Sequence, residues 1–74
     1  MSLNLGIYEH SKTGNLYRVI GIAKHSETLE GFVVYEALYE NKTSKLWIRP
    51  FAMFLEEVVI DGKPVPRFRF LRDK

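Results

Sequence analysis

Along this chain, apolar residues recur at every second position in short runs, and clusters of turn-forming residues separate the runs. Such a period argues for strands that bury one face. Gly6–His10 predicts a short first strand, with Ile7 between polar neighbours, and Ser11–Asn15 is a turn cluster. Leu16–Lys24 is rich in β-branched and aromatic residues and predicts a second strand. Its alternation slips near Gly21. Tyr17 and Val19 share one face, and Ile20 and Ile22 share the other. A glycine at such a slip predicts a bulge or sharp bend.

The polar segment His25–Gly31 leads into the strongest strand pattern, Phe32–Tyr39. Val33, Tyr35, Ala37 and Tyr39 form an uncharged face, while Glu36 interrupts the face made by Phe32, Val34 and Leu38. Two largely apolar faces predict a central strand. After a polar hairpin loop over 41–45 comes a short strand, Leu46–Arg49, which Pro50 stops. Phe51, Phe54 and Leu55 lie at i, i+3 and i+4, the stripe of one helical turn. Strand character resumes over Glu57–Ile60, and Asp61–Gly62 is a tight-turn dipeptide. Pro66 restricts Arg67–Leu71 to a sheet edge. In that last strand Phe68 and Phe70 point inward and Arg67 and Arg69 outward. The whole predicts a mainly β fold: a small, bent antiparallel barrel or roll of five or six strands with one short helical turn. It forms a single domain over residues 1–74, with 1–5 flexible and 71–74 a tail.

Size limits what such a domain can bury. Below roughly 70–80 residues a single core rarely supplies more than about 3–5 kcal/mol. The chain has 74 residues and no cysteine, so neither disulfides nor thiolate metal sites can compensate. His10 and His25 alone are a poor imidazole inventory for zinc. Five Phe, four Tyr and one Trp supply buried area instead. No cofactor or metal is expected. The chain start lacks the order of a signal peptide and no apolar run suits a membrane helix, so the expectation is a cytoplasmic protein without membrane contact. It is read as a monomer or homodimer.

Net charge is +2 but unevenly spread. Residues 1–62 hold six Lys/Arg against eight Asp/Glu, and residues 63–74 hold five against one. A basic end on a slightly acidic body suits an anionic partner, and equally a charged edge strand that resists aggregation.

Several runs occur together in a specific order: Gly6-x-Tyr8-x-His10, His25-Ser26-Glu27-Thr28, Val33-Val34-Tyr35, Leu38-Tyr39, Leu46-Trp47-Ile48-Arg49-Pro50, Met53-Phe54 and Pro66-Arg67-Phe68. In this combination, spanning roughly Gly6 to Phe68, the chain resembles the bacterial domain of unknown function family 1653. The resemblance implies an SH3-like barrel and implies no activity.

His25, Ser26, Glu27 and Thr28 contain the residue types of a hydrolytic triad, but adjacent loop residues rarely converge on one another, and no nucleophile elbow is present. They are read as a binding loop or as turn chemistry, and no catalytic residue is assigned. Trp47 and Arg49 share one face of their strand. If Leu46 and Ile48 fill the core, Trp47 and Arg49 face outward as a recognition pair. If Trp47 is core, Arg49 is tied to Glu27, Glu30 or Glu36. The first reading joins His25, Glu27, Trp47 and Arg49 at one edge of the barrel.

Three functions follow as expectations. The first is a non-catalytic binding module that recognises a peptide, a protein or a small anionic ligand through His25, Ser26, Glu27, Thr28, Trp47 and Arg49. The second is a nucleic-acid-binding domain using Lys63, Arg67, Arg69 and Arg72. The third is a small enzyme or an enzyme's accessory domain, with the balance against catalysis.

Overall fold

A computed structural model describes residues 2–73; Met1 and Lys74, the extremes of the expected flexible ends, lie outside the described residues. The elements follow in the order β1 (Gly6–His10), β2 (Leu16–Lys24), β3 (Gly31–Ala37), β4 (Leu46–Pro50), α1 (Phe51–Phe54), β5 (Glu57–Ile60), β6 (Lys63–Pro66) and β7 (Phe68–Arg72). Five strands form an antiparallel sheet in the order β4-β3-β2-β1-β7, and β5 and β6 form a separate hairpin. The chain is therefore mainly β, as its periodicity predicts.

Sequence patterning missed the strand at β6. Pro64 and Pro66 lack the N–H that a central strand needs, yet a two-stranded hairpin tolerates them because both its strands are edges. The hairpin turns at Asp61 and Gly62, whose φ values of 54° and 77° suit the paired left-handed residues of a tight turn.

The bend in β2 lies where the alternation slips. Val19 pairs with Tyr35 and Gly21 with Val34, so Ile20 is the extra residue of a bulge and is exposed. A glycine is not needed there, since a Cβ on Gly21 would meet nothing within 4 Å and its φ is not left-handed.

The core gathers on one face of the bent sheet. Tyr8, Val19, Val33, Tyr35, Phe54 and Phe68 are buried together, and Leu3, Tyr17, Trp47 and Phe51 pack against them. The helix contributes through Phe54, which is 1% exposed, whereas Leu55, which caps the helix at its C-terminal end, is half exposed.

One facing that the strand pattern left open is decided, and two expected ones need correction. In β4 the outer residues are Leu46 and Ile48, 55% and 62% exposed, while Trp47 pairs with buried Tyr35 and Arg49 with buried Val33. The register with β3 decides this, because one residue of slip would exchange the two faces. In β7, Phe68 is buried but Phe70 is 38% exposed. The β1–β7 register runs one to one from His10–Phe68 to Tyr8–Phe70 and shifts only beyond that pair, so Phe70 keeps the face of Phe68. It packs on the Tyr8 ring, with centroids 5.3 Å apart, but its place on the outermost strand leaves it partly uncovered. Arg67 is not a solvent-facing side chain either: its Nε is buried, and its guanidinium lies 3.5 Å from Glu56.

The ends expected to be flexible or tail-like also join the fold. Leu3 packs on the core, Asn4 offers its carbonyl to the Tyr8 hydroxyl at 2.7 Å, and Leu71 and Arg72 belong to β7. Among the described residues, no helix is long and apolar enough to cross a membrane.

Candidate functional site

Hairpin loops alternate between the two ends of an antiparallel meander. The β1–β2 turn and the β3–β4 loop therefore share one end of the sheet, and the 25–30 loop caps the other. At the first end an open concavity of about 330 Å³ lies over the core face. Its aromatic lining comes from Tyr17, Tyr35, Tyr39, Trp47 and Phe68, and its polar lining from His10, Thr13, Asn15, Asn41 and Arg49. No carboxylate lines it.

The aromatic rings hold one another edge to face. Tyr17 meets Tyr35, Tyr39 and Phe68 with centroids 5.4, 5.5 and 5.7 Å away and planes close to perpendicular. Such pairs set each positive ring edge against a negative face. The Tyr17 and Tyr39 hydroxyls are 2.8 Å apart, and the Asn41 amide donates to the Tyr39 hydroxyl at 3.2 Å. Burial, then the bond to Tyr39, pushes the Tyr17 phenol up to about 12, so it stays neutral at physiological pH.

Arg49 is the one cation in the lining. Its Nε donates to the Tyr35 hydroxyl at 3.3 Å, and its guanidinium carbon sits 5.5 Å from the centre of the Phe68 ring. No acidic residue pairs with it among the described residues; the ion pairs are Arg18–Glu36, Lys45–Glu36, Arg67–Glu56 and Arg69–Glu9. His10 packs edge-on to Phe68, and its imidazole is held below its ordinary value by burial first and then by Arg49, Arg67 and Lys12. It is therefore neutral at pH 7. Its Nδ1 accepts the Lys12 amide at 3.3 Å, which places the ring proton on Nε2.

The acceptors of the lining are largely occupied. Asn41 Oδ1 takes the amides of Thr43 and Ser44, and Thr13 Oγ1 takes the amide of Asn15. The guanidinium nitrogens beyond Nε and the imidazole N–H remain as donors. The Trp47 indole N–H is buried without a partner among the described residues, adding a further unmet donor beneath the surface.

Of the residues singled out from the sequence, Trp47 and Arg49 meet in this concavity and the His25–Thr28 loop does not. His25, Ser26, Glu27 and Thr28 are exposed at the opposite end. His25 Nδ1 accepts the amides of Glu27 and Thr28, Thr28 Oγ1 accepts that of Glu30, and the Leu29 amide donates to the His25 carbonyl. This is turn chemistry. Glu27 forms no ion pair with Arg49. The basic C-terminal group is likewise dispersed: Lys63 lies on the β5–β6 hairpin, Arg67 and Arg69 are engaged by Glu56 and Glu9, and Arg72 is exposed. Among the described residues no cluster of three or more His, Asp or Glu could hold a metal ion.

Sequence reasoning did not assign His10, Thr13, Asn15, Asn41 or Phe68 to a site. One signal was present: Tyr17 and Tyr35 lie on core-facing registers of neighbouring strands, and the turns beside them hold Asn15 and Asn41.

Comparison with known proteins places this geometry in a family. A family model described as "Protein of unknown function (DUF1653)" matches residues 6–70. A crystal structure of a DUF1653 protein from Bordetella bronchiseptica is similar at a TM-score of 0.89 with 32% identity, covering 99% of this chain and 92% of that one. No curated protein matches. With the family model spanning nearly all of its length, the chain belongs to the DUF1653 family.

Proposed function

We propose that this chain is a non-catalytic binding module on an SH3-like roll, and that it captures an anionic group in the aromatic concavity at the β1–β2 and β3–β4 end. One observation carries the reading. Arg49 is fixed by Tyr35 and Phe68 in a lining that contains no carboxylate, and it has no acidic partner among the described residues. A half-buried cation without a counter-ion favours a ligand that brings one. Concave, mostly apolar sites with a few convergent polar groups are the usual form of small-ligand sites.

The rival use of an aromatic pocket is to hold an ammonium group against ring faces. Arg49 argues against it, because a second cation would be repelled at close range. The nucleic-acid alternative has less support, since two of its four basic residues already hold carboxylates.

Trp47 is the only tryptophan and lines the site, so its fluorescence and indole N–H resonance report occupancy. Titration with a panel of organic anions and matched ammonium compounds tests the reading. Anions should shift the Trp47 signals and lose this effect in Arg49→Gln. Shifts by ammonium compounds alone would reverse the assignment.

A further inference from the structure

The geometry points to a carboxylate carried on a flat apolar group as the ligand class of this concavity. The inference rests on the anion-binding reading above and narrows it by charge, shape and donor count.

Charge comes first. The lining supplies one positive charge, because Arg49 is its only cation and His10 is neutral at pH 7. Lys12 and Arg67 influence His10 from outside the lining, and Arg67 is engaged by Glu56. A single charge balances a carboxylate. A phosphate monoester carries nearly two and is usually met by several cations, a glycine-rich loop or a helix N-terminus. The one helix of the described residues has four residues and contributes no lining residue.

Donor geometry follows. The Nε of Arg49 is occupied by Tyr35, so the two terminal nitrogens remain as a forked pair. That fork matches the two oxygens of a carboxylate. The Phe68 ring beside the guanidinium and the Tyr35 bond hold the fork in place before a ligand arrives, which lowers the ordering cost of binding. The imidazole N–H of His10 is a further donor.

Shape decides the remainder of the ligand. Beside Arg49 the lining is Trp47, Tyr35, Tyr17 and Tyr39, and the acceptors of Asn41 and Thr13 are occupied by backbone amides. Such a surface favours a planar apolar body over one that must donate hydrogen bonds. Two sources share this chemistry: a small aromatic acid, and the free C-terminus of a peptide ending in an aromatic residue.

The test uses the whole chain with Trp47 fluorescence and amide and indole resonances as readouts. Benzoate, phenyl phosphate, benzamide and acetate are titrated, together with a short peptide ending in Phe as the free acid and as the amide. Benzoate or the free-acid peptide should bind at least tenfold tighter than acetate, benzamide or the peptide amide. Binding tenfold tighter by the free-acid peptide than by benzoate would assign peptide C-termini as the source; the reverse would assign small acids. Arg49→Gln should weaken binding at least tenfold. Arg49→Lys, which keeps the charge but not the fork, should do the same. Melting curves of both variants confirm that they are folded. Tighter binding of phenyl phosphate than of benzoate would overturn the carboxylate assignment and leave the anion site standing. Equal binding of benzamide and benzoate, or no response of Trp47 to any probe, would overturn both.

Discussion

The rings of Phe54 and Phe68 lie parallel, 4.2 Å apart at their centroids and 3° apart in plane, so the single helical turn is stacked directly on the last strand. Residues 14 positions apart thereby close the core. Phe68 also meets Tyr17, Tyr35 and His10 edge-on and lies beside the Arg49 guanidinium, so one ring serves both the core and the floor of the site.

Emptying that position should be costly. Phe68→Ala is expected to destabilise the domain by about 3–5 kcal/mol, the usual range for a buried aromatic. Arg69→Ala, one residue along, removes only an exposed pair with Glu9 and should cost less than about 1 kcal/mol. Urea denaturation of the two variants checks this, and equal costs would refute the facing of β7.

Two glycines should behave oppositely. Gly21 has open space around its Cβ position and no left-handed φ, so Gly21→Ala should be neutral or stabilise by up to about 1 kcal/mol through the unfolded chain. Gly62 sits at φ +77°, and Gly62→Ala should cost about 1–2 kcal/mol. Thermal melts of the pair give the sign directly.

Leu29 is 63% exposed and held at φ 63°, in the left-handed region that a leucine avoids. Leu29→Gly removes a strain of about 1–2 kcal/mol at the cost of some unfolded-state entropy. The melting temperature should therefore rise. A fall would show that the Leu29 side chain supports the loop by a contact that outweighs the strain.

The titration of His10 reports on Arg49. Burial lowers its folded pKa, and Arg49 adds to that effect. In Arg49→Gln the imidazole resonances should titrate at higher pH than in the parent. The unfolded state binds a proton first as pH falls, so His10 contributes stability above its unfolded value of about 6.5. That contribution is lost as pH falls through the depressed folded value. His10→Gln should remove this part of the acid dependence.

At the alkaline end the sign is reversed. Tyr17 is pushed up to about 12, so between about 10 and 12 the unfolded chain ionises while the folded chain does not. Stability should be unaffected by this group below pH 10 and decline as pH rises through that window. In Tyr17→Phe the decline should be shallower, as measured by denaturation at a series of pH values.

The amino-acid sequence by itself determined most of the secondary structure, because strand period, turn dipeptides and proline positions are local properties of the chain. The β2 slip at Gly21, the hairpin at Asp61–Gly62 and the one-turn helix at Phe51 are of this kind. The order of runs from Gly6 to Phe68 likewise carried the family. What the tertiary structure decided is which face of each strand looks inward. Leu46 and Ile48 are as apolar as any core pair, yet pairing Trp47 with Tyr35 and Arg49 with Val33 turns them outward. Strand period names two alternating sets and cannot say which is inside; the partner strand's register does. The site was half legible for the same reason. Trp47 and Arg49 stood out by their chemistry, but their companions are set by the ends of the sheet. The alternation of hairpin loops brings Asn15, Asn41 and His10 to Arg49 and carries His25 and Glu27 to the far end, because antiparallel strands reverse direction at every turn.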